Sequence, residues 1–266
     1  MTARPDLMSW GFSSLGAPHL SLEELSELAR QFGMDFLELR AVRGTIALPD
    51  YFHKHPHELE IAPGEIRVLS TDLRLIESAD EDIIAFMRYV KLAETWKTPY
   101  LRVFGGGKWG DEISLNAFGH AAKTVKRCRQ LMQEMGSSAE MILETHSGFS
   151  STQTCRRLNN LLEQPLSILW DSHHTWKLAR ESLEESWQTI GEWVRHVHYK
   201  DSLSAPVGES DYRYVLPGFG EFPTHELLQL LARDAYHGGV SLEWEKLWHP
   251  NLRDLVEVLG PFKEIR

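Results

Sequence analysis

Cysteine is scarce in this 266-residue chain, with only Cys128 and Cys155 present. Neither belongs to a spaced metal-binding pair, and both fall in stretches with helical periodicity. A disulfide-stapled secreted scaffold is excluded, and reduced thiols in a cytoplasmic protein are expected. Positive charge is also in short supply. Twenty-eight Lys and Arg face 38 Asp and Glu, for a formal net charge of −10. A general binder of nucleic-acid backbone needs a basic surface, so no nucleic-acid partner is expected. A local basic pocket for one anionic group remains compatible with that balance. No apolar run is long enough to span a bilayer, and Met1–Met8 has no apolar signal core. The expectation is a soluble, cytoplasmic protein without a membrane partner, its self-association left open. Linkers, low-complexity tracts and short-period repeats are missing too, which argues for one domain over residues 1–266.

What is present is an alternation of short β-prone runs and amphipathic stretches. Ser9–Ser14 reads as a first strand. A helix follows from Ser21, whose capping-box partner is Glu24, and Gly33 ends it. Phe36–Arg40 is a second strand with Glu38 and Arg40 on one face, a spacing compatible with a buried pair between them. Ala41–Gly64 holds three Pro and three His and reads as a long loop with a short irregular helix. Ile66–Leu73 is the third strand, and Ser78 with Glu81 reads as the cap of the next helix. Tyr100–Phe104 and Met141–Glu144 are the fourth and fifth strands, separated by a helix over Glu112–Met135. A helix over Thr152–Leu162 precedes the sixth strand, Leu166–Trp170, with its polar end running on to His174. A helix over Glu184–Trp193 leads to the seventh strand, Val194–Asp201, and then to a long polar loop containing LPGFGEFP. Helices over Thr224–Arg233 and Leu252–Leu259 flank the last strand, Gly239–Trp244. Eight strand–helix units without a break predict a single TIM (β/α)8 barrel, for which about 250 residues is typical.

The later strands share a signature. MILETH, SILWDSHH, VRHVHYKD and VSLEWEK each begin apolar and end in carboxylate and imidazole. In a barrel those ends converge at the carboxyl-terminal mouth. Glu144, Asp171, His198 and Glu243 then surround one point. Three carboxylates and one imidazole would repel one another there without a cation. The set is mostly hard oxygen, which suits one Mn²⁺, Mg²⁺ or Co²⁺ better than a thiolate-type zinc site, with Zn²⁺ still admissible. The alternative is that each residue forms its own salt bridge or caps the helix that follows it.

The series LETH, LWDSHH, HVHYKD and SLEWE, in this order, resembles the sugar-phosphate isomerase/epimerase superfamily of xylose isomerase-like barrels. The PGFGEFP segment is similar to that superfamily's PGxGxxP loop. The resemblance implies that Glu144, Asp171, His198 and Glu243 are divalent-metal ligands. It further implies that Glu144 and Glu243 are a catalytic base/acid pair, and that His174, from D-x-x-H, contacts substrate. The epimerase pattern HxGExxR is replaced here by HYKDSLS, and its second carboxylate after the fifth strand by Ser150.

Chemistry points the same way. A divalent ion chelating a carbonyl and its neighbouring hydroxyl acidifies the proton between them, and one carboxylate removes it while another returns it. The leading expectation is an isomerase or epimerase of a small sugar, keto-sugar or cyclitol, acting through an enediolate. Expelling a β-hydroxyl instead would make a dehydratase of the inosose or 3-dehydroshikimate type. A non-catalytic sugar-binding barrel is a third reading. An endonuclease IV-like nuclease would need a His-rich multi-zinc cluster and a basic face, and the net charge opposes it.

Other residues have two readings each. Arg102, Lys108 and Lys200 stand near strand ends and are candidates for holding a phosphate or carboxylate; GGGK itself lacks the spacing of a P-loop. His146 and His196 face inward, either orienting the site and its substrate or making hydrogen bonds in the core. Glu245 is a partner for Lys200 or Lys246. Trp10, Trp109, Trp170 and Trp244 either pack or stack on a sugar face.

Overall fold

The computed structural model describes residues 8–60, 65–207 and 210–266. The segment Met1–Met8 therefore lies outside the described residues but for Met8, as do the last four residues of the Ala41–Gly64 loop and positions 208–209 of the polar loop. Eight parallel strands close a barrel: β1 (Ser9–Ser13), β2 (Phe36–Leu39), β3 (Glu65–Arg74), β4 (Tyr100–Phe104), β5 (Glu140–Glu144), β6 (Ser167–Asp171), β7 (Val194–Tyr199) and, after a two-stranded hairpin, β10 (Gly239–Leu242). Each strand pairs with its sequence neighbours, and β10 closes the ring against β1, with Ser9 opposite Gly239. This is the fold that the alternation predicts.

Local chemistry sets the boundaries. Helix α1 (Leu22–Phe32) starts at Ser21, whose hydroxyl accepts the Glu24 N–H, and the Glu24 carboxylate returns to the Ser21 N–H. Gly33 ends it in the left-handed conformation, at φ 63°. The irregular loop holds α2 (Leu48–Lys54). Helix α3 (Asp80–Trp96) begins one residue later than the Ser78 reading: Ala79 is the cap, and its N–H donates to Asp82. Ser78 instead is buried against Thr124, 2.7 Å away, and spends its hydroxyl on packing α4 (Leu115–Glu134). Helix α5 is Thr152–Asn159. The sixth strand stops at Asp171, and α6 (Ser172–Lys177) follows at once, where the sequence reading runs extended to His174. Asp171 causes the turn, because its Oδ1 accepts the His174 N–H at 2.9 Å and so caps the helix. Helices α7 (Leu183–Ile190), α8 (Thr224–Arg233) and α9 (Leu255–Ile265) complete the outer layer.

The polar loop after β7 contains a hairpin, β8 (Ser202–Val207) antiparallel to β9 (Ser210–Tyr214). PGFGEFP then wraps around a single carboxylate. Asp201 accepts the backbone N–H groups of Ser202, Gly218, Gly220 and Phe222, all within 2.8–3.1 Å. Both glycines are needed: Gly218 sits at φ 81°, and a Cβ on Gly220 would overlap Asp201 Oδ1.

The main apolar core lies between barrel and helices. A second, small cluster of Val68, Ile142 and Leu169, with Tyr100 against it, plugs the inside of the barrel. Beyond this plug toward the carboxyl-terminal end the interior turns polar, with Glu38, Ser70, Arg102, Glu144, His196 and His198 all nearly inaccessible to solvent. Among the described residues no helix is long and apolar enough to cross a membrane.

Replacing Asp201 by Ala orphans four backbone donors. We expect a loss of about 2–4 kcal/mol in urea-unfolding free energy, from unpaired buried N–H groups partly rescued by water. A loss below about 0.5 kcal/mol would mean that the loop holds itself.

Candidate functional site

The strand ends bring Glu144, Asp171, His198 and Glu243 together. One ligand atom from each lies within 4.8 Å of the others. His198 Nδ1 is 3.1 Å from Glu243 Oε2 and 3.6 Å from Glu144 Oε1. Two fixed cations share the cluster. Lys200 Nζ lies 2.7 Å from Asp171 Oδ2, 2.5 Å from Glu243 Oε2 and 2.6 Å from Glu245 Oε1. Arg102 Nε lies 3.1 Å from Glu144 Oε2, while its Nη1 donates to the Thr71 carbonyl at 2.9 Å.

Burial and charge oppose each other at every group. Desolvation alone would raise the carboxylates, but the Arg102 charge and the His198 hydrogen bond hold Glu144 below its usual range. Burial is likewise outweighed at Asp171, held well below by His174 and Lys200, and at Glu243, held down by His198 and Lys200. Burial works against the charged form of His198, yet Glu243 and Glu38 raise it well above an ordinary histidine. His146 behaves differently: burial dominates and pushes it down to about 4, so at neutral pH it is an uncharged hydrogen-bonding group.

Two observations test whether a divalent ion suits these residues. Five carboxylates (Glu38, Glu144, Asp171, Glu243, Glu245) meet Arg102, Lys200 and the His198 ring that they hold protonated, which still leaves two negative charges. And Glu144 Oε2, Asp171 Oδ2, His198 Nδ1 and Glu243 Oε2 are all buried and held only by ion-pair contacts with one another and with Arg102, Lys200 and His174. One such atom per residue, in a set of oxygens and one imidazole nitrogen, fits a hard divalent cation.

The sequence family described as xylose isomerase-like TIM barrel matches residues 26–261. The chain belongs to the xylose isomerase-like TIM barrel family. No curated protein sequence matches it. Similar solved structures include the probable 3-DHS dehydratase AsbF involved in petrobactin synthesis, from Bacillus anthracis, at 20% identity and a TM-score of 0.80, covering 97% of this chain and 98% of that one. An IOLI protein with a zinc atom bound is 18% identical with a TM-score of 0.76, covering 97% and 96%. A xylose isomerase-like TIM barrel protein from Mycobacterium smegmatis in complex with magnesium is 11% identical with a TM-score of 0.71, covering 99% and 97%. At these identities the likeness is one of fold.

In this xylose isomerase-like barrel a cavity of ≈ 420 Å³ opens above the cluster, lined by Arg40, Asp72, Arg74, Arg102, Phe104, Glu144, His146, Glu243, Glu245 and Trp248 among others. A larger one, ≈ 750 Å³, lies beside it between the hairpin and residues 244–253. It lacks the carboxylate–imidazole set, and Trp248 lines both. His174 lies beside the first cavity with its ring 5.0 Å from that of His146, its Nδ1 2.8 Å from Asp171 Oδ2.

Two readings change. Glu38 and Arg40 do not pair: Arg40 binds Asp72 with both terminal nitrogens, and Glu38 turns inward to His198. Arg102 and Lys200 are committed to carboxylates instead of standing free at the mouth, and Lys108 sits exposed beside Gly106 and Gly107 of the cavity wall without lining the cavity itself. His173, beside His174 in sequence, sits in an aromatic pocket with Tyr212 and Tyr214, its Nε2 2.8 Å from Ser202 Oγ. Glu245 does pair with Lys200, and its Oε1 also accepts the Tyr214 hydroxyl at 2.9 Å. His196 is hydrogen-bonded in the core, 2.7 Å from Ser241 Oγ. Trp10, Trp170 and Trp244 are buried packing residues and Trp109 is exposed. Trp248 is the tryptophan at the mouth; an aromatic three residues beyond Glu245 was its signal in the sequence.

Lys200→Met removes the ammonium shared by three buried carboxylates. Measured by urea unfolding in the presence of a chelator, the variant should lose about 3–5 kcal/mol, as when one member of a buried ion pair is removed. Unchanged stability would mean that the carboxylates share protons in place of the ammonium.

Proposed function

We propose that the whole chain, 1–266, is one divalent-metal-dependent enzyme that isomerises or epimerises a small keto-sugar or cyclitol by moving the proton beside its carbonyl. The observation that carries this reading is the convergence of three carboxylates and one imidazole, from Glu144, Asp171, His198 and Glu243, at one buried point. Those residues would hold the ion. When bound, it supplies a Lewis acid that acidifies the proton next to the chelated carbonyl. The zinc and magnesium in two structures of the same fold support the assignment.

The chain's own groups divide the remaining work. Glu144 and Glu243 are the base and acid: Arg102 and Lys200 hold them ionised, so each is ready to accept a proton at neutral pH. Ionised carboxylates are weak bases, so proton transfer depends on how far the substrate has been acidified. Uncharged His146, with His174 against it, offers hydrogen bonds to substrate hydroxyls. Lys200 and Arg102 fix the carboxylates and add positive potential near the substrate oxygens. Trp248, half-exposed beside Glu245, gives an apolar wall for a ring face.

A second reading, a dehydratase of the inosose or 3-dehydroshikimate type, has its own support. Arg40 and Arg102 in the cavity wall are paired with Asp72 and Glu144, but Arg74, largely exposed and only 3.6 Å from Glu77, is available to a substrate with a carboxylate. Position 150, where an epimerase would carry its second carboxylate, is a buried serine without a hydrogen bond. The fold likeness to a probable 3-DHS dehydratase agrees with it.

Incubation in D₂O with Mn²⁺ and a panel of ketohexoses, inososes and 3-dehydroshikimate tests both. The wild-type protein should place deuterium on the carbon beside one substrate's carbonyl, and Glu144→Gln and Glu243→Gln should do so about 10²–10⁴-fold more slowly. A product lighter by one water selects the dehydratase. Incorporation unchanged in both variants removes the glutamates from the mechanism.

A further inference from the structure

Glu38 crosses the barrel interior from β2 to β7, two strands that do not pair with each other. Its Oε2 accepts from His198 Nε2 at 2.7 Å, and its Oε1 accepts the Ser70 hydroxyl at 2.9 Å. The residue is 1% exposed and His198 is wholly buried. The other imidazole within reach, His196, stands 3.5 Å from Oε2 and has the closer partner Ser241. Glu38 is therefore committed to His198, with Ser70 pinning its second oxygen. The ring is bonded to Glu38 at Nε2, while its Nδ1 faces the cluster, 3.1 Å from Glu243 Oε2 and 3.6 Å from Glu144 Oε1. To ligate a cation through Nδ1 the ring must keep its one proton on Nε2, the nitrogen that Glu38 accepts from.

We propose that Glu38 is a positioning residue for a divalent cation: it keeps the proton on His198 Nε2, fixes the ring plane, and so presents the Nδ1 lone pair to the carboxylate cluster. The inference rests on the metal-dependent reading above and goes beyond it, since Glu38 touches neither substrate nor ion. A carboxylate behind a ligating histidine raises its basicity and removes the entropy of ring rotation, and loss of such partners costs about 10–100-fold in metal affinity.

The test is Mn²⁺ titration calorimetry on the full chain, paired with thermal unfolding. Glu38→Gln keeps the size and an acceptor oxygen but not the charge, and its dissociation constant should rise about 10-fold; Glu38→Leu should approach the 100-fold end of the range. Ser70→Ala, which frees the second oxygen and leaves the core intact, should shift affinity in the same direction by less. A purely structural role predicts the opposite pattern, a lowered melting temperature with an unchanged dissociation constant. If the wild type binds Mn²⁺ and Ser70→Ala and every folded Glu38 variant bind it equally well, the positioning role is wrong and the metal reading stands. If the wild type binds no Mn²⁺, both fall.

Discussion

Negative charge buried at the end of a barrel is the constraint on which this structure depends. Four carboxylates, Glu144, Asp171, Glu243 and Glu245, are held where the strands converge, and they share only two fixed cations. Removing such charges from water costs several kcal/mol each unless they are compensated. The surrounding residues supply that compensation. Arg102 braces Glu144 from the neighbouring strand, with its guanidinium carbon 3.8 Å from the centre of the Phe104 ring. Lys200 ties the ends of β6, β7 and β10 to one ammonium. The apolar plug of Val68, Ile142 and Leu169 closes the barrel beneath, so the polar groups face only the mouth.

The same charges recruit the excursions from the barrel. Asp171 serves the cluster with one oxygen and starts α6 with the other, which sets His174 beside the cavity. Glu245 holds Lys200 and also Tyr214, so the β8–β9 hairpin is tethered to the site by a hydrogen bond to the residue that neutralises it. One residue past Lys200, Asp201 gathers four backbone amides and shapes the PGFGEFP loop. Within four residues at the end of β7, His198, Lys200 and Asp201 thus set a buried imidazole, an internal cation and a loop. Substitutions in this short segment should seldom act on one property alone.

The barrel was legible because its signals are local: caps such as Ser21–Glu24, the apolar starts of the strands, and eight repeats of one pattern. The four-residue cluster was legible for a related reason, since parallel strands in a barrel must bring their carboxyl ends together. Illegible features were decided by tertiary partners. Glu38 and Arg40 share a face at a spacing that fits an ion pair, yet His198 and Asp72, distant in sequence, offer better geometry. Asp171 looks like the interior of a strand that runs on to His174, and its capping role emerges only from the helix it starts. The hairpin carried a signal that went unread, the alternation of Tyr212 and Tyr214, masked by polar neighbours. Charge counting misled at Arg102 and Lys200, because a basic residue near a mouth is free only if no buried acid claims it first.

The central claim is that Glu144, Asp171, His198 and Glu243 form one divalent-cation site and not a set of separate ion pairs. Anomalous scattering from a crystal soaked in Mn²⁺ tests it directly. The account predicts one strong peak in contact with His198 Nδ1 and one oxygen from each of the three carboxylates, with the Lys200 ammonium drawn toward Glu245. A peak elsewhere, or no peak with Lys200 still bridging Asp171 and Glu243, would contradict it.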